Sequence, residues 1–182
     1  MASIKNIVKS MIGLALIMLF SCKNSYEDVK KVSDNELRPF MESFNTEVKY
    51  SENGKQSSRL VSPHIQRFEN DSLWTLMPEG VTAFFYDSLE NLESEMKADY
   101  GIWLQDKQTL HTEKDVVIKN VKGEMLNTEK LTWYQDSGIF VTNEFVKITQ
   151  PTGVIYGKGL RATENFDEYE ILQITGNIQV EE

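Results

Sequence analysis

The chain has 182 residues, a length suited to one domain. Its 19 basic and 28 acidic residues give a net charge of −9, which makes nucleic acid and anionic bilayer surfaces poor partners for it. Its single cysteine, Cys22, excludes an internal disulfide as a source of stability.

The first 21 residues are typical of a secretory signal. Lys5 and Lys9 precede an apolar run from Met11 to Phe20, which is about half the ~20 residues that a membrane-spanning helix needs. The run ends in Leu-Phe-Ser-Cys at positions 19–22, which resembles the lipobox of bacterial lipoproteins, where the cysteine is acylated and becomes the mature N-terminus. We therefore predict a signal peptide at residues 1–21 and lipidation at Cys22. An uncleaved, short membrane anchor is the alternative.

Residues 22–41 read as a polar tether between Cys22 and a folded domain at residues 42–182. The stretch from Lys23 to Glu36 carries many charges, and its sizeable apolar side chains are only Tyr26, Val29 and Val32. Such a segment buries too little apolar surface to fold alone. Without residues 1–21 the chain keeps 17 basic and 28 acidic residues, a net charge of −11.

Beyond about residue 42 the sequence predicts an all-β domain. Apolar and polar residues alternate, β-branched and aromatic residues are frequent, and turn-forming residues interrupt the pattern every 10 to 15 positions. Because Gly, Asn and Asp favour tight reversals, we expect successive strands to be antiparallel neighbours. The turn signals lie at Glu52-Asn53-Gly54, Asn70-Asp71-Ser72, Gln105-Asp106-Lys107, Asp136-Ser137-Gly138 and Pro151-Thr152-Gly153.

The domain contains an internal repeat with an offset of 30 residues. The matching pairs are Trp103 and Trp133, Gln105 and Gln135, Asp106 and Asp136, Thr112 and Thr142, Val116 and Val146, Ile118 and Ile148, and Gly123 and Gly153. Repeats of this length indicate a structural unit that is used several times.

A shorter signature recurs four times within the repeat, as an apolar residue, a small residue two positions later, a second apolar residue three positions after that, and an apolar or aromatic residue two positions further on. Leu126, Thr128 and Leu131 form one copy. An odd spacing of five would place Leu126 and Leu131 on opposite faces of a regular strand, and one extra residue, a β-bulge, returns them to the same face. Trp133 fills the last position of this copy. In the first copy, Leu60-Ser62-Ile65, the last position holds Arg67, with Phe68 displaced by one. The remaining copies are Met96-Ala98-Gly101-Trp103, with a glycine where the others carry a large residue, and Ile155-Gly157-Leu160-Ala162.

Bent hairpins stacked in chain order give two twisted antiparallel sheets that face one another. The repeated apolar side chains then line the space between the sheets, which is either a plain sandwich core or a groove open along one edge. Sequence alone does not separate these two alternatives. The residues predicted to line this space are Met96, Trp103, Val116, Ile118, Leu126, Leu131, Trp133, Ile139, Val146, Ile148, Ile155 and Leu160.

The lipobox-like start, the polar tether and several later segments resemble the LptC family, the periplasmic component of lipopolysaccharide export, in the form found in Bacteroidota. The resemblance covers roughly residues 55–180. It rests on the strand TEKLTW and, above all, on the ending GKGLRATENFDEY. Many relatives have an uncleaved transmembrane helix where this chain has the lipobox-like sequence.

The resemblance implies a β-jellyroll with an open apolar groove that carries lipopolysaccharide, with its acyl chains inside. It implies an inner-membrane ABC transporter as one partner and a periplasmic LptA-like jellyroll as the other. It also implies a periplasmic location anchored to the inner membrane. Open sheets pair through their edge strands. We therefore expect the first strand (Phe44, Val48 and Tyr50) to dock the transporter and the last (Ile171, Ile174, Ile178 and Val180) to dock the next jellyroll.

No motif in the chain favours an enzyme, a cofactor or a metal site. His64 and His111 are 47 positions apart with no second ligand at metal-like spacing. There is no GxSxG pattern and no phosphate-binding glycine loop followed by a helix. The acidic group Glu164, Asp167 and Glu168 reads as a solvated turn rather than a glycosidase pair. The main rival function is that of a β-sandwich lipoprotein that binds glycan or another surface protein.

Overall fold

The computed structural model describes residues 38–176. Cys22, the predicted signal peptide, most of the predicted tether, Ile178 and Val180 lie outside the described residues. Within residues 38–176 the fold is all-β, and no helix there has the length and apolar character needed to cross a membrane.

Eleven strands follow one another through short turns. They are β1 (Met41–Glu52), β2 (Lys55–Glu69), β3 (Leu73–Met77), β4 (Val81–Tyr86), β5 (Leu92–Ala98), β6 (Tyr100–Leu104), β7 (Thr109–Asn120), β8 (Met125–Tyr134), β9 (Ile139–Gln150), β10 (Gly153–Thr163) and β11 (Tyr169–Ile174). A 3-10 turn, Gln105–Lys107, joins β6 to β7. The predicted turn signals all lie at or between strand ends, and at the first of them Asn53 and Gly54 have the positive φ of a tight hairpin.

Every strand pair in the sheet is antiparallel. Two long strands, β2 and β7, pair with different short strands at their two ends, and this divides the sheet into two layers. The start of β2 pairs with β4 and its end with β3. Likewise the end of β7 pairs with β5 and its start with β6. We call the two halves the β4–β5 layer and the β3–β6 layer. Strands β1, β2 and β7 to β11 run through both, which confirms the predicted antiparallel jellyroll architecture.

The long strands bend where the repeat signature predicts an extra residue. The register shifts between Thr128 and Thr132 in β8 and between Lys158 and Leu160 in β10, where Gly159 has a φ of 73°. Leu126 and Leu131 are consequently both buried although five positions separate them. In the second copy Asp99 separates β5 from β6 and has the same effect.

Buried hydroxyl groups bond the backbone at these bends. The Thr112 hydroxyl donates to the Leu131 carbonyl at 3.0 Å, and the Thr128 hydroxyl donates to the Phe145 carbonyl at 2.9 Å. Ser62 reaches the Gly80 carbonyl at 2.7 Å. A bulge removes ladder hydrogen bonds, so a small hydroxylated residue at this position satisfies a carbonyl that would otherwise be buried without a partner.

The two layers pack face to face through aromatic side chains. Phe85 of β4 meets Trp133 of β8 edge to face, with ring centroids 5.0 Å apart, and meets Phe140 of β9 at 5.3 Å. Phe85 belongs to the β4–β5 layer, whereas Trp133 and Phe140 belong to the β3–β6 layer. These contacts close the space between the layers at its centre.

Candidate functional site

The repeated apolar positions converge on one interior. Ten of the twelve residues predicted to line the space between the sheets are buried in a single cluster, and Ile155 is half-buried against it. The ten are Met96, Trp103, Val116, Ile118, Leu126, Leu131, Trp133, Val146, Ile148 and Leu160. They come from both layers, so the repeated positions together form one continuous apolar lining.

Ile139 is the exception, and the structure corrects its position. It pairs with Tyr134 and Thr163, on the outer face of the β3–β6 layer, and is only half-buried. Its neighbour Phe140 pairs with Trp133 and takes the interior position. The turn at Asp136-Ser137-Gly138 sets this register, and a one-residue change of register turns every side chain to the other face.

The interior is filled by protein side chains in this conformation. Trp133, Phe85, Phe140 and Phe166 are its largest fully buried residues. A cavity of about 40 Å³ lies within this interior near the β1 edge, and it is little larger than the ~30 Å³ share of one water molecule. It is lined by Thr46, Val48, Tyr50, Leu60, Ser62, Ile65, Arg67, Thr75, Met77, Trp103 and Gln105. An acyl chain therefore fits between the layers only if side chains move or the layers separate.

The segment that joins β10 to β11, residues 164–168, covers one end of this interior. Its Phe166 is fully buried and stacks on Tyr169, with ring centroids 5.1 Å apart. The Asn120 side-chain amide donates to the Phe166 carbonyl at 3.2 Å, and the Ser94 hydroxyl donates to the Glu164 carbonyl. We call residues 164–168 the end loop.

The end loop is joined to the predicted groove through a partly buried hydrogen bond. The Trp133 indole N–H donates to Glu164 Oε2 at 3.2 Å. Burial raises the pKa of the Glu164 carboxyl, and the hydrogen bond from Trp133 opposes that shift. The sequence reading of Glu164 as part of a solvated turn is therefore wrong, whereas Asp167 and Glu168 are exposed.

Both edges of the sheet have a free side within residues 38–176. Strand β1 pairs only with β2, and β11 pairs only with β10. On β1, Val48 and Tyr50 turn inward and pack against the core, whereas Phe44 is exposed and stacks on His64. On β11, Ile171 packs against the core and Ile174 is exposed.

The two histidines lie on the outer face of the β3–β6 layer, in separate polar settings. His64 Nε2 lies 2.6 Å from Glu42 Oε1, and His111 Nδ1 lies 2.9 Å from the Thr132 hydroxyl. No group of three or more metal-ligating side chains comes together in the part of the chain that the structure describes.

Sequence reasoning missed three of the largest interior residues, Phe85, Phe140 and Phe166. Phe85 and Phe140 lie at alternate positions of predicted strands, so a register anchored on turn length could have found them. Phe166 has a φ of 56° inside a turn, where no periodic pattern applies. Its only signal was the segment GKGLRATENFDEY, whose second half contains the end loop.

A family model described as lipopolysaccharide-assembly, LptC-related, matches residues 10–179. The chain belongs to the LptC family. A search of curated proteins found no significant match. Members of the LptC family are transport components rather than enzymes, they act in lipopolysaccharide transport, and they are periplasmic and associated with the inner membrane.

Proposed function

We propose that this protein is a membrane-anchored periplasmic link that receives lipopolysaccharide from an inner-membrane ABC transporter and passes it to an LptA-like jellyroll. The observation that carries the proposal is the convergence of the repeated apolar positions on one interior that extends from the β1 edge toward the β11 edge. Membership of the LptC family supports the same role.

The repeat suits cargo that moves rather than cargo that stays. Each methylene taken out of water is worth ~0.8 kcal/mol, so a lipid with several long chains needs a continuous apolar path across an aqueous compartment. Apolar positions such as Leu126 and Val146 would offer an acyl chain similar contacts all along the path, whereas a tight pocket would retain the lipid. Because the interior is packed here, transit requires the two layers to part.

The two free edges suit a chain of jellyrolls. An exposed edge strand offers unpaired backbone groups to a strand of another protein. In the proposed arrangement β1 pairs with a periplasmic β-domain of the transporter, and β11 pairs with the LptA-like protein. Edge-to-edge pairing would align the interiors of successive domains.

Photo-crosslinking tests the proposed lipid path. A photoreactive residue at Leu131 or Trp133, on the inner face, should capture lipopolysaccharide when the transporter and ATP are supplied. Matched probes at Lys130 and Thr132, on the outer face of the same strand, should not. Equal capture from both faces, or capture without ATP at the same rate, would contradict the proposal.

The anchor is proposed to be a lipid at Cys22. The sequence Leu-Phe-Ser-Cys at positions 19–22 supports it. Cys22→Ser should block incorporation of labelled palmitate and leave an unprocessed precursor. Normal labelling of this variant would favour the uncleaved anchor instead.

The rival function, glycan binding by a β-sandwich lipoprotein, has less support. Sugar-binding sites present aromatic rings on an accessible face, but Trp103 and Trp133 are buried in the core. Trp74 lies on the outer face, where it stacks on Phe68 with ring centroids 4.2 Å apart. Oligosaccharide binding by the wild-type protein that is lost in Trp74→Ala would favour the glycan-binding function.

A further inference from the structure

Arg67 is a charged residue on the inner face of the sandwich. In the β3–β6 layer it stands opposite Met41 on one side and Thr75 on the other, and Thr75 stands opposite the buried Trp103. Side chains that face each other across an antiparallel pair lie on the same side of the sheet. The Arg67 side chain accordingly lines the small cavity near the β1 edge.

The Arg67 guanidinium has no counterion among residues 38–176. Its Nε is buried without a hydrogen-bond partner, and no salt bridge of the described residues includes it. Arg67 is half-buried, so its charge is partly desolvated without a counterion, and desolvation of a charge is expensive. Binding of an anion would offset that cost.

The surroundings of Arg67 combine hydrogen-bonding groups with an apolar lining. The side chains of Tyr50, Thr75 and Gln105 line the same cavity as Arg67, and none of the lining residues is acidic. Burial raises the pKa of the Tyr50 hydroxyl, and the charge of Arg67 opposes that shift. Apolar groups from Val48, Met77 and Trp103 continue from this cluster into the core.

We propose that Arg67, with Tyr50 and Thr75, forms a binding site for the phosphate group of an amphiphile whose apolar chain follows the lining next to this cavity once the two layers part. The planar guanidinium fork matches phosphate oxygens in a bidentate geometry, and the hydroxyl groups can donate to the remaining oxygens. The inference rests on the proposed function, in which the β1 edge is the entry side for lipopolysaccharide. The site would then bind a phosphate group of the lipopolysaccharide as it enters between the layers.

Binding of short amphiphiles to the full chain tests the proposal. The probes are hexyl phosphate, hexyl glucoside as a neutral partner with the same chain, and inorganic phosphate. Binding of each is measured by isothermal titration calorimetry. Wild-type protein should bind hexyl phosphate about tenfold more tightly than hexyl glucoside, as expected for a hydrogen bond to a charged group. Arg67→Met should reduce that ratio to about one, while Arg67→Lys should keep part of it.

Arg59→Met is the matched control. Arg59 lies on the outer face of the same strand, 4.2 Å above the Phe84 ring, so its replacement should leave the preference for hexyl phosphate unchanged. A preference retained in Arg67→Met would overturn the proposal. Inorganic phosphate that competes as well as hexyl phosphate would show a free-anion site and overturn the amphiphile assignment.

Thermal unfolding gives an independent readout without ligand. Arg67→Met removes an unpaired charge and keeps the length of the side chain, so its unfolding midpoint should equal or exceed that of wild type. A clearly lower midpoint would show that the guanidinium stabilises the empty domain and would overturn the proposal. If hexyl phosphate binds as expected while crosslinking at Leu131 fails, the transport proposal falls and the anion site stands.

Discussion

The Trp133 indole N–H and the Glu164 carboxylate are joined by a hydrogen bond of 3.2 Å, and this bond ties the end loop to the predicted lipid path. Trp133 is 1% exposed and belongs to the central cluster. Glu164 belongs to the end loop, in which Phe166 is fully buried. The loop that covers the interior is therefore held by one of the residues that the repeat places there.

Trp133→Phe should loosen the end loop. The variant keeps an aromatic ring in the core but removes the donor to Glu164, which leaves a partly buried carboxylate short of a partner. We expect a loss of about 1 to 3 kcal/mol in the free energy of unfolding, measured by urea denaturation, and faster amide exchange at Phe166. Trp74→Phe, on the outer face, is the control, and exchange at Phe166 that is equal in both variants would contradict the prediction.

Glu164→Gln should remove a pH dependence of stability. Burial raises the pKa of this carboxyl above its ordinary value of 4.5. A group with a raised folded-state pKa favours folding below its ordinary pKa, and that contribution is lost as the pH rises through the folded value. The variant should therefore be more stable than wild type at neutral pH, and this difference should vanish toward pH 4.5.

Thermal unfolding of both proteins across this pH range measures that difference directly. Glu42 and Asp87, whose pKa values hydrogen bonds lower, are present in both proteins and cancel in the comparison. A variant less stable than wild type at neutral pH would mean that the ionised carboxylate gains more from Trp133 than burial removes.

The sequence predicted the parts of this fold that depend on local pattern. Turn chemistry placed the hairpins, and the odd spacing from Leu126 to Leu131 predicted the bends, because a buried face can tolerate that spacing only with an extra residue. The prediction that Ile139 lines the interior was wrong because the register depends on how many residues the preceding turn uses. The sequence pattern did not show that number. Phe166 was missed because a buried residue in a turn is fixed by tertiary contacts alone.

The residues that line the interior were predictable, but whether side chains fill that interior or leave a groove was not. Apolar residues at Trp133 and Val146 fit a packed core and a lipid path equally well. The distinction depends on whether side chains from other segments, such as Phe85 and Phe166, fill the same volume. Arg67 stood in an apolar slot of the first repeat copy, yet sequence alone could not show that it has no counterion.

Thr112→Val should destabilise the domain through the bend in β8. Valine has nearly the same shape as threonine but cannot donate to the buried Leu131 carbonyl, which Thr112 reaches at 3.0 Å. An unsatisfied buried carbonyl costs about 1 to 3 kcal/mol, to be measured by urea denaturation. Thr82→Val, on the outer face of the β4–β5 layer, should stay within about 0.5 kcal/mol of wild type. Similar losses in both variants would mean that the bend hydroxyls contribute nothing specific.

Gly157→Ala should weaken the pairing of β11 with β10. A Cβ at this position would lie 2.3 Å from Ile171 Cγ2 and 2.7 Å from the Gln173 carbonyl oxygen, so β11 would have to shift. We expect a loss of about 1 to 3 kcal/mol, as for other overpacked sites, with increased amide exchange confined to β11. Gly123→Ala has open space around its Cβ but a φ of 85°, so it isolates backbone strain. Exchange in β11 that is unchanged in Gly157→Ala would refute the steric argument.

The two edges of the sheet should bind different partners, and one variant at each edge can separate them. On the β11 side, the Thr175 N–H donates to the Tyr156 carbonyl at 2.9 Å and continues the pairing with β10. Deleting residues 175–182 removes this continuation and shortens the edge, because strand addition depends on the number of available backbone groups. We expect loss of binding to the LptA-like protein in a pull-down, with transporter association retained.

Phe44→Lys is the matched change at the β1 edge. Phe44 is 63% exposed, so a lysine there should leave the fold intact, while a charge on an edge strand opposes pairing with another strand. This variant should lose the transporter and keep the LptA-like protein, the reverse of the deletion. Circular dichroism confirms folding in both. Each edge would then carry one partner, whereas loss of both partners, or of neither, in folded protein would show that the edges are not the docking surfaces.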